Sequence, residues 1–320
     1  MISIVIPNYN GNKYLQDCID ALFASTHTNI EVIVVDNGSE DDSYSWIHSY
    51  ENLRFEKLDK NYGFSYAVNK GIQLANGEYI ILLNNDTLVE EGFVEELMRA
   101  ISQDKTIFSV CSKMIQYHNK ALIDDAGDEY TVLGWAYKCG DGAPITMYDH
   151  SRRVFSSCGG AAIYRKSTFE EIGYFDENFF AYMEDVDIGY RANLYGYKNI
   201  YCPKAIVYHV GSATSGGRYN SFKIKISSRN NVYVAYKNMP LLQLIINAPA
   251  LVFGFLIKYW AFYRKGFGKE YKEGLLEGFK TLHQIKRVGF KIKHIGNYIY
   301  VEWLLIKNAI KYIFMKLKRL

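Results

Sequence analysis

Short apolar runs alternating with amphipathic segments constrain this chain more than any other feature. Ile2–Ile6, Glu31–Val35, Leu53–Leu58 and Tyr79–Leu83 have strand length and are too short for helices. Among the segments between and after them, Lys13–Ala24 sets Leu15, Cys18, Ile19 and Leu22 on one helical stripe. Ser65–Ala75 turns Ala67, Val68, Gly71, Ile72 and Ala75 inward, and Phe93–Ile101 continues the pattern. Strands alternating with helices predict a parallel α/β sheet with helices on both faces. Ligands of such sheets sit beyond the carboxyl ends of the strands. Three runs end there in polar clusters: Asn8-Tyr9-Asn10, Asp36-Asn37 and Asn84-Asn85-Asp86. One such cluster is what any turn prefers; three at one edge predict a shared crevice.

Of the 320 residues, 49% are apolar and 16% aromatic, enough for a full core and incompatible with disorder. Cys18, Cys111, Cys139, Cys158 and Cys202 are odd in number and form no CxxC pair. They predict reduced thiols in a cytosolic compartment. Met1 to Pro7 carries no basic leader, so no secretory signal is expected.

Charge divides the chain. Residues 1–240 hold 22 Lys and Arg against 30 Asp and Glu, a balance of −8, whereas residues 241–320 hold 15 against 4, a balance of +11. The basic part is also strongly apolar, which favours an anionic membrane surface over nucleic acid as its partner. Leu241–Ile257 runs 17 residues without a charge but is interrupted by Gln243, Asn247 and Pro249. A spanning helix needs about 20 predominantly apolar residues, so residues 241–263 either cross the bilayer or lie in its interface. Ile299–Leu320 mixes Trp303, Leu304, Ile310 and Phe314 with Lys307, Lys311 and Lys316, the pattern of an interfacial amphipathic helix. A helical subdomain packed on the core is the plain alternative.

The middle, about residues 112–165, is less regular, and Tyr130–Gly142 reads as an excursion that shapes a pocket. Ser167 with Glu170 reads as a capping box opening a short helix. Asp185–Tyr195 reads as a helix closed by Gly196, and Asn199–Cys202 and Ile206–His209 as two short strands.

Ser3-Ile4-Val5-Ile6-Pro7-Asn8-Tyr9-Asn10, Val34-Val35-Asp36-Asn37-Gly38-Ser39, Asn61-Tyr62-Gly63-Phe64 and Leu82-Leu83-Asn84-Asn85-Asp86 occur in the order and spacing of family 2 glycosyltransferases. So do Gly159-Gly160-Ala161-Ala162, Gly173-Tyr174-Phe175-Asp176-Glu177, Glu184-Asp185-Val186-Asp187 and His209. The chain resembles that family over about residues 1–235, and its Asn-Asn-Asp form resembles the rhamnosyltransferase-like branch. The resemblance implies a GT-A fold: a nucleotide-binding half (about 1–110), an acceptor-binding half (about 111–235), and a helical, membrane-associating region (236–320). The sheet is then mixed, with helices on both faces.

It also implies roles. Asp36 would accept from the N3–H of a uracil or thymine, with Pro7, Tyr9, Asn61 and Gly63 around the nucleotide. Asn84, beside Asn85, stands where relatives often carry the first Asp of a DxD motif and would face ribose or metal. Asp86 and His209 would hold Mg²⁺ or Mn²⁺, a hard ion suited to neutralising a departing diphosphate. With Asn at 84 and 85, one carboxylate replaces two, and metal is expected to bind mainly with the nucleotide. Asp185 would be the base that takes the acceptor hydroxyl's proton, with Glu184 orienting it or the acceptor. Asp187 is expected to be structural. Arg191 would reach a phosphate or pair with Asp187 at i+4. The Gly-rich stretch 211–217 with Arg218, Lys223, Lys225 and Arg229 resembles a lid over the diphosphate.

The implied activity is inverting, metal-dependent transfer from a nucleotide-diphospho-sugar, dTDP-rhamnose or a UDP-sugar. The acceptor would be a glycan or polyprenyl-diphosphate-linked glycan at the cytoplasmic membrane face, with the enzyme peripheral or monotopic. The alternative is a catalytically weak pseudo-enzyme or membrane scaffold. A sugar nucleotidyltransferase needs a Gly-rich, basic loop after the first strand, and Asn8-Tyr9-Asn10-Gly11-Asn12-Lys13 does not supply it.

Overall fold

The computed structural model describes residues 1–25, 29–41, 46–47, 50, 52–211 and 219–317. The first half alternates as its apolar runs dictate: β1 (Ile2–Asn8), α1 (Leu15–Phe23), β2 (Ile30–Asp36), β3 (Leu53–Lys57), α2 (Phe64–Leu74), β4 (Tyr79–Leu83), β5 (Thr87–Val89) and α3 (Phe93–Ser102). Then come β6 (Ile107–Gln116), β7 (Ile123–Asp125), β8 (Asp128–Tyr130), β9 (Ala136–Lys138), β10 (Arg152–Val154) and β11 (Ala161–Arg165). The chain continues through α4 (Lys166–Ile172), α5 (Glu184–Leu194), β12 (Lys198–His209), α6 (Ser221–Asn238), α7 (Leu241–Arg264), α8 (Gly268–Lys280) and α9 (Ile295–Leu317).

The main sheet runs β10-β12-β6-β11-β4-β1-β2-β3, with β5 on β12 and β7 on β6. Strands β4, β1, β2 and β3 are parallel, whereas β11 lies antiparallel between β4 and β6. The sheet is therefore mixed. Two apolar cores cover its faces, one around Ile4, Val34 and Phe93 and one around Val5, Ile33 and Phe169.

Two local expectations change, and one strand was not foreseen. Ser167 lies inside α4, whose N-cap is Arg165 with no capping side chain, so no capping box forms. Asn199–Cys202 and Ile206–His209 belong to one strand, β12, which crosses Pro203 by a register shift against β6. β6, a ten-residue buried strand, lacked an apolar signature because Ser109, Ser112 and Lys113 punctuate it.

The C-terminal helices share a core with the body. Tyr130, Phe155, Phe179 and Tyr190 pack with Val232, Leu251, Phe255, Val301 and Leu305. A boundary at residue 235 falls inside α6. Gln243 and Asn247, which interrupt the apolar run in sequence, donate to Glu302 of α9 at 2.6 and 2.8 Å and so tie α7 to α9. α7 docks one stripe, including Asn247, Leu251, Gly254 and Phe255, and leaves Leu242, Ile246, Phe253, Leu256 and Trp260 exposed. The helix continues through Pro249. α7 is long and apolar enough to cross a membrane by length and composition.

Candidate active site

At the carboxyl ends of β1, β2 and β4 opens a cleft of about 1250 Å³, lined by Pro7, Tyr9, Asn61, Gly63, Asn84, Asn85, Asp86, Glu184, Asp185 and His209. The expected site residues thus converge on one hollow, with one exception. Asp36 is wholly buried beneath the wall and does not line the cleft. Its carboxylate accepts from Asn8 Nδ2 at 2.8 Å and from the backbone N–H and hydroxyl of Ser39. The strand end turns it inward, and Asn37 takes the lining position beside it. Asn8 in turn accepts from Asn85 Nδ2 at 2.7 Å, so Asp36 fixes the Asn85 amide through one intermediate.

Asn37 anchors the other wall. Its Nδ2 donates to Asn61 Oδ1 at 2.9 Å and to the Gly63 carbonyl at 3.1 Å, while its Oδ1 accepts from Tyr62 N–H. Gly63 has φ +93°, and a Cβ there would stand 2.5 Å from the Phe180 carbonyl oxygen. Only glycine meets both demands. Gly160 leaves space for Asn84, whose Nδ2 would lie 3.1 Å from an added Cβ.

Asp86 follows β4, and His209 closes β12. His209 Nε2 lies 3.3 Å from Asp86 Oδ1, and Nδ1 lies 2.9 Å from Asp124 Oδ2 in β7. Lys138 Nζ holds Asp124 at 3.1 Å. Burial alone would lower the His209 pKa, but hydrogen bonds to Asp124 and Asp86 and their charges raise it to about 9. A cation thus sits between two carboxylates, and a divalent ion bound by Asp86 and Nε2 would take the proton's place. This donor set fits Mn²⁺ or Mg²⁺, imidazole favouring Mn²⁺. Asp124 is placed as the carboxylate that fixes the imidazole tautomer and ring. A second group, Asp125, Asp128 and Cys158, brings ligand-type atoms within 4.8 Å of one another. Burial pushes Asp125 to about 7 and Asp128 well above the usual range.

Glu184 and Asp185 open α5. Asp185 accepts from the backbone N–H of Val186 at 2.8 Å and from that of Gly159. Burial raises its pKa, and it raises that of Glu184 further, with the Asp185 charge adding to the effect. Glu184 Oε2 is buried and makes no hydrogen bond among the described residues. The backbone ahead of the pair is strained: Phe180, Tyr182 and Met183 have φ of 62°, 68° and 73°, each costing about 1–3 kcal/mol. Asn230 Nδ2 of α6 lies within 2.7–2.9 Å of the Phe179, Ala181 and Tyr182 carbonyls and fixes that turn.

Asp187 is structural, as expected, bonded to Arg191, Lys237 and Asn238. Arg191 takes the pairing role, and its guanidinium also donates to the carbonyls of Ile172, Gly173 and Tyr174, which leaves none of it for a phosphate. Residues 212–218 of the expected lid lie outside the described residues. Lys223 lines the cleft, but Lys225 and Arg229 sit in α6 and pair with Glu277 at 3.2 and 3.3 Å. Asp124, Lys138, Lys258 and Tyr271 also line the cleft or support it. None stands in a recognisable motif, although the Asp124-Asp125 pair after an apolar residue was a visible signal.

A mixed sheet whose parallel half ends in this cleft, with an Asp–His pair on one side and a Glu-Asp helix start on the other, defines a GT-A-type glycosyltransferase. The chain belongs to glycosyl transferase family 2, whose sequence pattern matches residues 3–173. It is 26% identical over 251 residues to N-acetylglucosaminyl-diphospho-decaprenol L-rhamnosyltransferase of Mycobacterium tuberculosis, covering 68% of this chain and 78% of that protein. It is 35% identical over 107 residues to glycosyltransferase GlyG of Streptococcus pneumoniae, covering 32% of this chain and 36% of that protein. Over 219 residues it is 23% identical to poly-beta-1,6-N-acetyl-D-glucosamine synthase of Staphylococcus epidermidis, covering 68% of this chain and 51% of that protein. The chain thus spans about a third to a half of the length of these last two relatives. In fold it resembles GalNAc-T7 with UDP, GalNAc and Mn²⁺, at TM-score 0.61 and 18% identity over 90% of this chain and 55% of that one. It also resembles a Pyrobaculum calidifontis mannosyltransferase with GDP-Man and Mn²⁺, at TM-score 0.55 and 15% identity over 98% and 83%.

Proposed function

We propose that the chain transfers a sugar, with inversion, from dTDP-rhamnose or a UDP-sugar to a glycan or polyprenyl-diphosphate-linked acceptor in cell-surface polysaccharide synthesis. The observation that carries this reading is that Asp86, His209 and Asp185, far apart in sequence, line one cleft. Asp185, held by two backbone N–H groups, takes the proton of the acceptor hydroxyl as its oxygen bonds to the sugar's anomeric carbon. The bond from that carbon to the diphosphate breaks on the opposite face, and the nucleotide diphosphate leaves with the electron pair. Mg²⁺ or Mn²⁺ held by Asp86 and His209 would neutralise the leaving diphosphate. Pro7, Tyr9, Asn37, Asn61 and Gly63 cradle the nucleotide, and Asn84 and Asn85 face its ribose. Asp36 acts from behind by fixing Asn8 and Asn85. Glu184, whose pKa burial raises, can donate to the acceptor in its protonated form.

The relative from Mycobacterium tuberculosis is named for a lipid-diphosphate acceptor, which supports the same class here. The exposed apolar faces of α7 and α9 and the +11 balance of residues 241–320 support seating on the anionic cytoplasmic face of a membrane. Because α7 docks a stripe along the catalytic body, we read it as lying in the interface. A donor screen with a polyprenyl-diphosphate-linked acceptor and Mn²⁺, read by nucleotide diphosphate release, tests the proposal. Release with one donor that depends on the acceptor and stops with Asp185→Asn is the expected result. Nucleotide binding without release under any pairing would make the chain a pseudo-enzyme.

A further inference from the structure

Three consecutive helices each deliver one unpartnered polar group to the cleft, away from the residues assigned above. Lys258 of α7 lines it and forms no ion pair or hydrogen bond among the described residues. Tyr271 of α8, 1% exposed, has a buried hydroxyl with no partner among the described residues. Asn231 of α6, 3% exposed, has a buried Oδ1 with no partner among them. Unsatisfied buried polar groups are costly, and two of them converging with the Lys258 ammonium on one hollow ask for a ligand. Phe262, one turn beyond Lys258, stacks on the Tyr271 ring with centroids 5.2 Å apart, which joins the two positions.

The two sides of α7 define that ligand. Lys258 continues the docked stripe of Leu251, Gly254 and Phe255, whereas Phe253, Leu256 and Trp260 on the other side are exposed. A helix is about 10 Å across, so an anion at Lys258 lies about one helix width from a lipid-facing surface. A free ammonium with a phenolic donor suits a phosphate, and the Asn231 oxygen suits an adjoining sugar hydroxyl.

We propose that Lys258 and Tyr271 form the subsite for the phosphate of a lipid-linked acceptor, reached along the apolar face of α7. The proposal rests on the transferase reading, so nucleotide binding is measured first, by calorimetry of the full chain with UDP and dTDP plus Mn²⁺. That step judges the transferase reading separately. Farnesyl diphosphate, farnesol and inorganic pyrophosphate are then titrated, with and without the bound nucleotide. Farnesyl diphosphate is expected to bind at least about tenfold more tightly than either of the others. Lys258→Met should weaken it by about tenfold or more, as loss of a charge-assisted bond implies, with Lys258→Arg retaining most affinity and Tyr271→Phe intermediate. Nucleotide affinity should hold in these variants and Tm should not fall, since losing an unpartnered polar group does not destabilise the fold. Wild-type affinity in Lys258→Met overturns the subsite. Pyrophosphate binding as tightly as the lipid diphosphate overturns the lipid link, and equal binding of farnesol overturns the phosphate.

Discussion

The Asn230 side-chain nitrogen lies 2.7 Å from the Tyr182 carbonyl oxygen, so a helix after the family-matching segment holds the turn that presents Asp185. That turn carries three left-handed residues other than glycine, a conformation that persists only when its surroundings impose it. Asn230→Ala leaves three carbonyls without this donor, and the unmet bonds cost about 1–3 kcal/mol of stability. Calorimetric melting should show the lower Tm. Transfer rate should fall by about tenfold or more while nucleotide affinity holds, because misplacing a positioned base costs rate before binding.

As the proposed base, Asp185 would have to be deprotonated, and burial raises its pKa. The rate should therefore climb with pH through a midpoint above the ordinary aspartate value of roughly 4. Stability runs the other way. A carboxyl with a raised folded pKa contributes stability fully below its unfolded pKa and loses it as pH rises through the folded one. Asp185→Asn should thus lower turnover by about 10²–10⁴-fold and raise Tm at neutral pH. Glu184→Gln should raise Tm there too, since its pKa is also raised. Melting curves across the pH range, set beside donor binding, check both signs.

How much of this was legible in sequence depends on where each residue's partners lie. β1, β2 and β4 announced themselves because their apolar residues face cores on both sides. β6 did not, because its polar residues are satisfied at long range: Ser109 bonds Asn199 and Ser157, Ser112 donates to the Ala161 carbonyl, and Lys113 donates to that of Ile145. Asp86, Asp185 and His209 stood in recognisable strings. Asp124 and Lys258 meet the cleft only through β7 and α7; the Asp124-Asp125 pair after Ile123 was the one local signal, and none marks Lys258. Asp36 shows the converse, since its motif was clear but its orientation is set by Ser39 and Asn8.

Asp124 faces His209 Nδ1 from the side opposite Asp86. Replacing it with Asn keeps the shape but removes the charge that fixes the ring. Loss of such a supporting carboxylate typically weakens metal binding by about 10–100-fold. Electron paramagnetic resonance of free Mn²⁺, titrated with nucleotide-bound protein, should show that drop for Asp124→Asn and near-complete loss for Asp86→Ala. Equal affinities in wild type and Asp124→Asn would remove Asp124 from this role.

The exposed faces of α7 and α9 give the last prediction. Leu256, Trp260, Trp303 and Ile310 are each about half exposed or more, although large apolar groups usually bury. On an anionic bilayer each, already half-buried, would gain roughly 1 kcal/mol on leaving water. Leu256→Glu with Trp260→Glu should therefore abolish sedimentation with phosphatidylglycerol vesicles. Neither residue lines the cleft, so transfer to a water-soluble acceptor should persist. Basic residues supply the other part of the attraction, and added salt screens them. Wild-type binding should weaken with salt without vanishing, whereas a purely electrostatic contact would be lost. Retained sedimentation of the double variant would show that these helices do not seat the protein on lipid.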